Sequence, residues 1–148
     1  MSTRNDLPRE ISLAVRDTCL CLHLQRAARV VARRFDEAFR PLGLTNHQFS
    51  LLMSLNRPDP ARMSEVASVL AIDRTTLTAN LKPLERRGLV KIALDPEDKR
   101  SRRLILTPAG RALLVEAVPI WKRTHAELDR QLGAAGPDRL RMDLRTLS

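Results

Sequence analysis

The sequence predicts a mainly α-helical fold that contains one β-hairpin. Apolar residues recur at helical spacing in several segments, which proline and glycine separate from one another. Between residues 90 and 106, apolar residues instead occupy alternate positions, which is typical of strands. The chain has 148 residues, the length of one ordinary domain. We therefore expect residues 1–148 to form a single domain.

The first predicted helix lies within residues 11–42 and carries an apolar stripe from Cys19 onward. The stripe contains Leu20, Leu24, Ala27, Val31 and Phe35, beside a basic face of Arg26, Arg29, Arg33 and Arg34. The helix is expected to end near Pro41, because proline disfavours helical geometry in the residue before it. Thr45 is then a suitable N-cap for a second helix that continues to Leu55.

The centre of the chain predicts a helix-turn-helix. Asp73 is placed to cap a helix over Arg74–Arg87, and Gly88 provides its stop. A shorter helix, Ser64–Ile72, precedes it after a turn of only one or two residues, as this motif requires. The residues that the shorter helix is expected to bury are Val66, Val69 and Leu70.

Two short strands are predicted directly after the second of these helices. Their alternating apolar residues are Val90, Ile92 and Leu94, then Leu104 and Leu106. The intervening residues 95–102 are expected to form an exposed turn, because the segment is too charged to be buried. A hairpin in this place is a wing, so residues 45–107 predict a winged helix-turn-helix.

The rest of the chain predicts two more helices. The order Thr107-Pro108 is typical of a helix start, and the helix continues toward Leu132, with a kink expected at Pro119. A last helix is predicted over Pro137–Leu147. Residues 11–42 and 108–148 present more apolar surface than one winged region can cover, so we expect them to form the dimerisation helices of a homodimer.

Composition favours a nucleic acid as the partner. The chain has 26 Lys and Arg against 17 Asp and Glu, a formal net charge of +9, which attracts polyanions. The 2 cysteines are too few for a disulfide framework, and the sequence has no metal-ligand spacing, nucleophile motif or phosphate loop. We therefore expect a cytoplasmic protein without catalytic residues, metal or cofactor. No secretory or membrane-spanning segment is expected either.

The helix over Arg74–Arg87 is the predicted recognition helix, which contacts duplex DNA. Its face opposite Leu77 and Leu81 is small near its start, which lets a helix lie deep in the major groove. Nearer its end the same face is basic and suited to phosphates. The predicted contacts are Arg74, Thr75, Thr76, Thr78, Lys82 and Arg86.

The wing supplies a second predicted set of DNA contacts. Arginine at the tip of a narrow hairpin inserts into the minor groove, where A·T tracts concentrate negative potential. The residues of this set are Lys99, Arg100 and Arg102, followed by Arg103 as a further cation. Asp98 is expected to orient the guanidinium of Arg100 by a charge-assisted hydrogen bond.

Several segments together resemble the multiple antibiotic resistance regulator (MarR) family. They are Thr45-Asn46-His47-Gln48-Phe49, Asp73-Arg74-Thr75-Thr76-Leu77-Thr78, Leu84-Glu85-Arg86-Arg87-Gly88-Leu89-Val90, Asp95-Pro96-Glu97-Asp98-Lys99-Arg100 and Leu106-Thr107-Pro108-Ala109-Gly110. The resemblance implies a homodimer whose first and last helices interlock and whose winged regions each read one half of a palindromic operator. It also implies that a small molecule or an oxidant releases the DNA.

The resemblance leaves two kinds of effector open, a small molecule and an oxidant. The resemblance places Cys21 where peroxide-sensing members carry a reactive cysteine, but Gln25 and Phe35 stand where those members have tyrosine. Burial of Cys21 among leucines, several residues inside its helix, is expected to slow its oxidation. We therefore favour a small organic ligand, with His47 and Trp121 as candidates to line its cavity, although core packing is the favoured role of Trp121. Peroxide sensing through Cys21 is kept as the alternative.

The leading functional hypothesis is repression of a promoter, with activation open because the sequence does not encode the operator position. A non-specific architectural or RNA-binding protein is the alternative of another class. It is disfavoured because aromatic residues, on which bases stack, make up only 3% of the chain. A protein-interaction module built on the winged fold is the third.

Overall fold

The computed structural model describes residues 6–148 and confirms a mainly α-helical chain with a winged helix-turn-helix. The helices are α1 (Arg9–Thr18), α2 (Leu20–Phe39), α3 (Asn46–Ser54), α4 (Met63–Leu70), α5 (Arg74–Arg86), α6 (Pro108–Leu132) and α7 (Gly136–Leu147). The strands are β1 (Ala61–Arg62), β2 (Val90–Leu94) and β3 (Arg102–Leu106), and a 3-10 turn covers Arg40–Leu42. The chain divides after Arg34 into two compact units.

The first unit contains α1 and most of α2. Cys19 has extended backbone geometry, φ −68° and ψ 111°, and separates the two helices. The sequence predicted one long helical stripe from Cys19, whereas α2 begins after it at Leu20. Its apolar residues are largely exposed in the single chain, with Leu20 at 69% and Val30 at 50%.

Helices α3, α5 and α6 each begin directly after the residue predicted to cap them. The Thr45 side chain accepts a hydrogen bond from the Gln48 N–H while the Gln48 side chain accepts one from the Thr45 N–H, a complete capping box. Thr107 accepts from the Gly110 N–H at 3.0 Å in the same way. These starts were predictable because each cap depends on residues within three positions along the chain.

The wing belongs to a three-stranded antiparallel sheet with the order β1, β3, β2. In the predicted hairpin, Val90 pairs with Leu106 and Leu94 with Arg102. The sequence analysis missed β1, because two residues are too short to show an alternating pattern. At the base of the wing, Thr107 donates through Oγ1 to the Gly88 carbonyl at 2.6 Å and through its N–H to the Leu89 carbonyl at 3.1 Å.

The core lies where α3, α4, α5 and the sheet meet. Its most completely buried large side chains are Phe39, Leu51, Leu52, Leu77, Leu81, Leu84 and Leu104. Phe39 stacks on Phe49 with ring centroids 4.7 Å apart. Gly110 packs so closely under the wing that a Cβ there would overlap the Leu89 carbonyl oxygen.

Val69, which was predicted to be buried, and Leu94, which belongs to the alternating apolar pattern of β2, are both exposed. Val69 is 76% exposed, because the buried stripe of α4 contains Met63 and Val66, and Val69 lies about 100° around the helix from Leu70. Leu94 is 61% exposed, since it lies at the far end of β2, beyond the part of the sheet that packs on the core. The kink expected at Pro119 stays a prediction.

Candidate nucleic-acid interface

The α5 helix presents its predicted reading face to solvent. Leu77, Leu81 and Leu84 are buried on one side. The predicted contacts on the other sides are all exposed, namely Arg74, Thr75, Thr76, Thr78, Lys82 and Arg86. The hydroxyl of Thr78 donates to the Arg74 carbonyl at 2.9 Å, whereas Thr75 and Thr76 lie in the first turn of the helix.

The turn between α4 and α5 sets the start of this helix. Ala71 has a left-handed backbone, φ 52° and ψ 44°, which non-glycine residues rarely adopt. Two residues later, Asp73 accepts a hydrogen bond from the Thr76 N–H at 2.7 Å. That bond from the Thr76 backbone lowers the pKa of the Asp73 carboxyl, so the cap is ionised at neutral pH.

Two arginines tie the ends of α5 to neighbouring segments. Arg74 Nη2 donates to the Arg100 carbonyl at the tip of the wing, at 3.4 Å. At the other end, Arg87 donates from Nη1 to the Gly43 carbonyl at 2.7 Å and from Nη2 to the Leu42 carbonyl at 3.2 Å. The position of α5 is thus linked both to the wing and to the 3-10 turn.

Asp95 anchors the base of the wing. Residues 95–102 were predicted to be exposed, and this prediction is wrong for Asp95. Asp95 is 3% exposed because two donors satisfy its carboxylate. The Glu97 N–H donates to Oδ1 and Arg103 Nε donates to Oδ2, each at 3.0 Å. The bond from Glu97, followed by the charge of Arg103, lowers the pKa of the Asp95 carboxyl against the opposing effect of burial.

The tip of the wing corrects the predicted role of Asp98. Its Oδ1 accepts from the backbone N–H of Arg100 at 3.0 Å, so Asp98 orders the turn and does not orient the guanidinium. Arg102 Nη1 donates to the carbonyls of Lys99 and Ser101, each at 3.2 Å. Arg103, predicted as a further cation for DNA, is paired with Asp95 at the base of the wing.

Part of the predicted DNA-binding set lies around one open groove between α5 and the wing. The groove has a volume of about 360 Å³ and is lined by Arg74, Thr78, Lys99, Arg100 and Arg102, over an apolar floor of Met63, Leu81 and Ile92. The remaining predicted contacts, Thr75, Thr76, Lys82, Arg86 and Asp98, are not part of its lining. A recognition helix and a cationic wing therefore border the same concavity.

The candidate effector residues lie on three different helices, His47 on α3, Trp121 on α6 and Cys21 on α2. His47 is exposed in the first turn of α3, and Trp121 is 37% exposed with its ring 5.0 Å from that of His125. Cys21 is exposed, which corrects the expectation of burial, and it is the second residue of α2, not an interior one. Gln25 Nε2 donates to its Sγ at 3.2 Å.

The described part of the chain, residues 6–148, offers no grouping of three or more His, Cys, Asp and Glu side chains suited to a metal ion. Within the same residues, no helix is both long enough and apolar enough to span a membrane.

Sequence reasoning missed the three side chains that hold the site in place, Asp95, Arg103 and Arg87. The pairing of Asp95 with Arg103 depends on how the two strands meet, and the contact of Arg87 spans 44 residues. A local signal existed only for Asp95, which stands at the start of a turn, where aspartate binds the N–H two residues ahead.

A helix-turn-helix followed by a cationic wing defines a DNA-binding protein of the winged-helix class. The sequence model described as MarR family matches residues 42–101. The transcriptional regulator MosR of M. tuberculosis, solved in complex with DNA, is 40% identical and has a TM-score of 0.79, over 88% of this chain and 93% of that one. The chain belongs to the MarR family. The members of this family that it resembles are transcription regulators and not enzymes.

Two further solved structures show the same likeness. The transcriptional repressor CouR, bound to a 23-mer DNA duplex, is 33% identical with a TM-score of 0.81, over 97% of this chain and 99% of that one. BpsR of Bordetella bronchiseptica, whose DNA binding is regulated by 6-hydroxynicotinic acid, is 28% identical with a TM-score of 0.78, over 86% and 91%. Alignments with three curated regulators cover 61%, 63% and 50% of their lengths.

Proposed function

We propose that this protein is a sequence-specific transcription repressor that binds a palindromic operator as a homodimer and is released by a small organic effector. The observation that carries the proposal is the groove between α5 and the wing, because residues of both elements line it. A helix in the major groove and a wing in the adjacent minor groove make complementary contacts with one duplex.

Each set of exposed residues has a distinct role in this proposal. Thr75 and Thr76, in the first turn of α5, contact base edges, since short side chains allow close approach. Lys82 and Arg86 bind phosphates and fix the register of the helix. Arg100 enters the minor groove from the wing tip, while Asp98 keeps the turn that presents it ordered.

The homodimer is supported by apolar residues that a single chain leaves exposed. In the N-terminal segment these are Leu7, Ile11, Val15, Leu20, Leu24 and Val30, and in α6 and α7 they are Val115, Leu132, Leu140, Met142, Leu144 and Leu147. Such residues lie at regular helical spacing outside the winged region, and a second copy provides the simplest cover for them.

Release by a small organic molecule is supported by the likeness to BpsR, whose DNA binding 6-hydroxynicotinic acid regulates. Oxidation of Cys21 is the second candidate, because the thiol is exposed, lies near the start of α2 and accepts a hydrogen bond from Gln25. Repression is supported by the likeness to the repressor CouR.

The test is a footprint of the purified protein on fragments of its own genome at physiological salt. We expect protection of a palindrome with two equivalent halves, and loss of that selectivity in a Thr75→Ala, Thr76→Ala double variant. Diffuse protection without a common sequence would contradict the proposal and indicate an architectural protein. A complete lack of protection would indicate a protein-interaction module. A reporter with the footprint overlapping the promoter then tests repression.

A further inference from the structure

Arg87 joins the end of the recognition helix α5 to a distant segment of the chain. Its guanidinium donates to two consecutive carbonyls, those of Leu42 and Gly43, at 3.2 and 2.7 Å. These carbonyls end the 3-10 turn, and Gly43 has a left-handed backbone, φ 64°, that carries the chain toward α3. The planar fork of an arginine matches such a pair of acceptors in a way that a lysine does not.

The segment that Arg87 binds is itself held from other sides. Asp36, in the last turns of α2, accepts hydrogen bonds from the Asn46 backbone N–H at 2.7 Å and from its side-chain Nδ2 at 2.8 Å. Helix α6 contacts the 3-10 turn as well. The carbonyls of Leu42 and Gly43 therefore belong to a fixed support and not to a free loop.

The direction of the Arg87 side chain separates it from the predicted phosphate contacts. Arg86 lies on the same face as Thr75 and Lys82, whereas Arg87 lies about 100° further around the helix. Its guanidinium donates to two backbone carbonyls within the protein. Arg87 thus links α5 to a distant segment of the chain, whereas Arg86 Nε donates to the Lys82 carbonyl within its own helix at 3.4 Å.

We propose, on the basis of the function proposed above, that Arg87 is a positioning residue that sets the spacing of operator half-sites that the homodimer accepts. In a symmetric dimer, the separation of the two recognition helices follows from how each α5 is fixed to the support that leads to the dimer contacts. Without the two hydrogen bonds from Arg87 to the Leu42 and Gly43 carbonyls, α5 can change its position. Duplexes that differ in half-site spacing are then bound with more similar affinity.

The experiment uses the full-length protein and the palindromic duplex identified by footprinting, together with duplexes that have one base pair inserted or removed at its centre. Affinities are measured over a range of salt concentrations for the wild type, Arg87→Met, Arg87→Lys and the matched control Arg86→Met. Melting temperatures are recorded for each protein. Arg87→Lys retains a donor for one of the two carbonyls and serves as the variant least prone to misfolding.

We expect the preference of Arg87→Met for the native spacing to fall by about fivefold or more, with an unchanged salt slope, and that of Arg87→Lys to fall less. Arg86→Met should weaken all three duplexes alike and reduce the salt slope by about one. An equal loss on all duplexes with a reduced slope in Arg87→Met would overturn the proposal, because Arg87 would then bind phosphate.

A lower melting temperature with unchanged spacing preference in both Arg87 variants would also overturn it, because the contact would then be purely structural. If the wild type formed no palindromic footprint, the proposed function itself would fail, and this inference with it. If the wild type prefers the native half-site spacing and the Arg87 variants prefer it equally strongly, only the inference about Arg87 fails.

Discussion

Arg103 donates from Nε to Oδ2 of Asp95 at 3.0 Å and thereby closes the base of the wing. Arg103 is partly buried and Asp95 almost completely so. Arg103 Nη1 also reaches the Pro60 carbonyl at 3.5 Å, so the pair connects the hairpin to the segment before β1. The wing therefore has an internal charge pair at its base and exposed cations at its tip.

The Asp95 carboxyl should make stability depend on pH in the acid range. Its pKa is lower in the folded protein than the ordinary value of about 3.9, so its contribution is complete above that value and is lost as the pH falls through the folded pKa. Asp95→Asn should lower the melting temperature at pH 7, and its difference from the wild type should shrink below about pH 4. Glu97→Gln, at an exposed neighbouring carboxylate, is the control, and an equal effect from it would contradict the assignment.

Arg100→Ala should weaken operator binding by roughly 1–3 kcal/mol, because a minor-groove guanidinium and its phosphate contacts are lost. Its melting temperature should stay unchanged, since Arg100 contributes its backbone, not its guanidinium, to the hydrogen bonds that order the tip. Arg103→Ala is the contrasting control and should lower the melting temperature by leaving Asp95 buried without its partner. Unchanged affinity of Arg100→Ala at every salt concentration would remove this residue from the interface.

The exposed residues of α5 should separate into two classes by mutation. Thr75→Ala and Thr76→Ala should change which bases are preferred, measured by selection from a randomised half-site. Lys82→Ala should weaken all sequences alike and flatten the salt dependence by about one unit of slope. A change of base preference in Lys82→Ala without one in the threonine variants would show that another face of α5 meets the groove.

Ala71→Gly should stabilise the protein, because glycine adopts the left-handed geometry at φ 52° without a steric cost. The strain of roughly 1–2 kcal/mol for alanine exceeds the entropy of roughly 0.4–1 kcal/mol that glycine adds to the unfolded chain. Ala71→Val is the opposite control and should destabilise, since a β-branched residue fits this geometry worst. Chemical denaturation measures both, and destabilisation by glycine would contradict the strain.

Organic hydroperoxide should leave the wild-type operator complex intact at near-stoichiometric amounts if a small organic ligand controls release. Cys21→Ser and Cys19→Ser are titrated alongside it, with Cys19 as the control because it is less exposed. The measurement is the fraction of bound DNA against added peroxide. Release of the wild type and Cys19→Ser, with Cys21→Ser still bound, would instead establish Cys21 as the sensor.

The sequence allowed prediction of features that depend on neighbours along the chain. The caps at Thr45, Asp73 and Thr107 and the alternation of the hairpin are of this kind. The pairing of Asp95 with Arg103 was not predictable, because a charged turn gives no sign of which side chain folds back on the strand.

Errors about accessibility have a similar origin. Cys21, expected to be buried inside its helix, is exposed and lies just after the helix break at Cys19, which apolar spacing does not reveal. Apolar spacing also placed Val69 in the core, but Val69 is exposed. Which face of α4 is buried depends on the elements that pack against this helix. Contacts between distant segments therefore determine what local patterns leave undetermined.

The bonds from Thr107 to Gly88 and Leu89 have a consequence for how the wing can vary in length. They tie together the two ends of the hairpin, where the recognition helix stops and α6 begins. Residues inserted between Pro96 and Ser101 would enlarge a loop whose ends are already closed, and doubling a flexible loop costs only about 0.6 kcal/mol. Insertions and deletions at the tip thus leave the closure at Thr107 intact and reach α5 only through the bond from Arg74 to the Arg100 carbonyl, so the wing can change its reach without reorganising the start of α6.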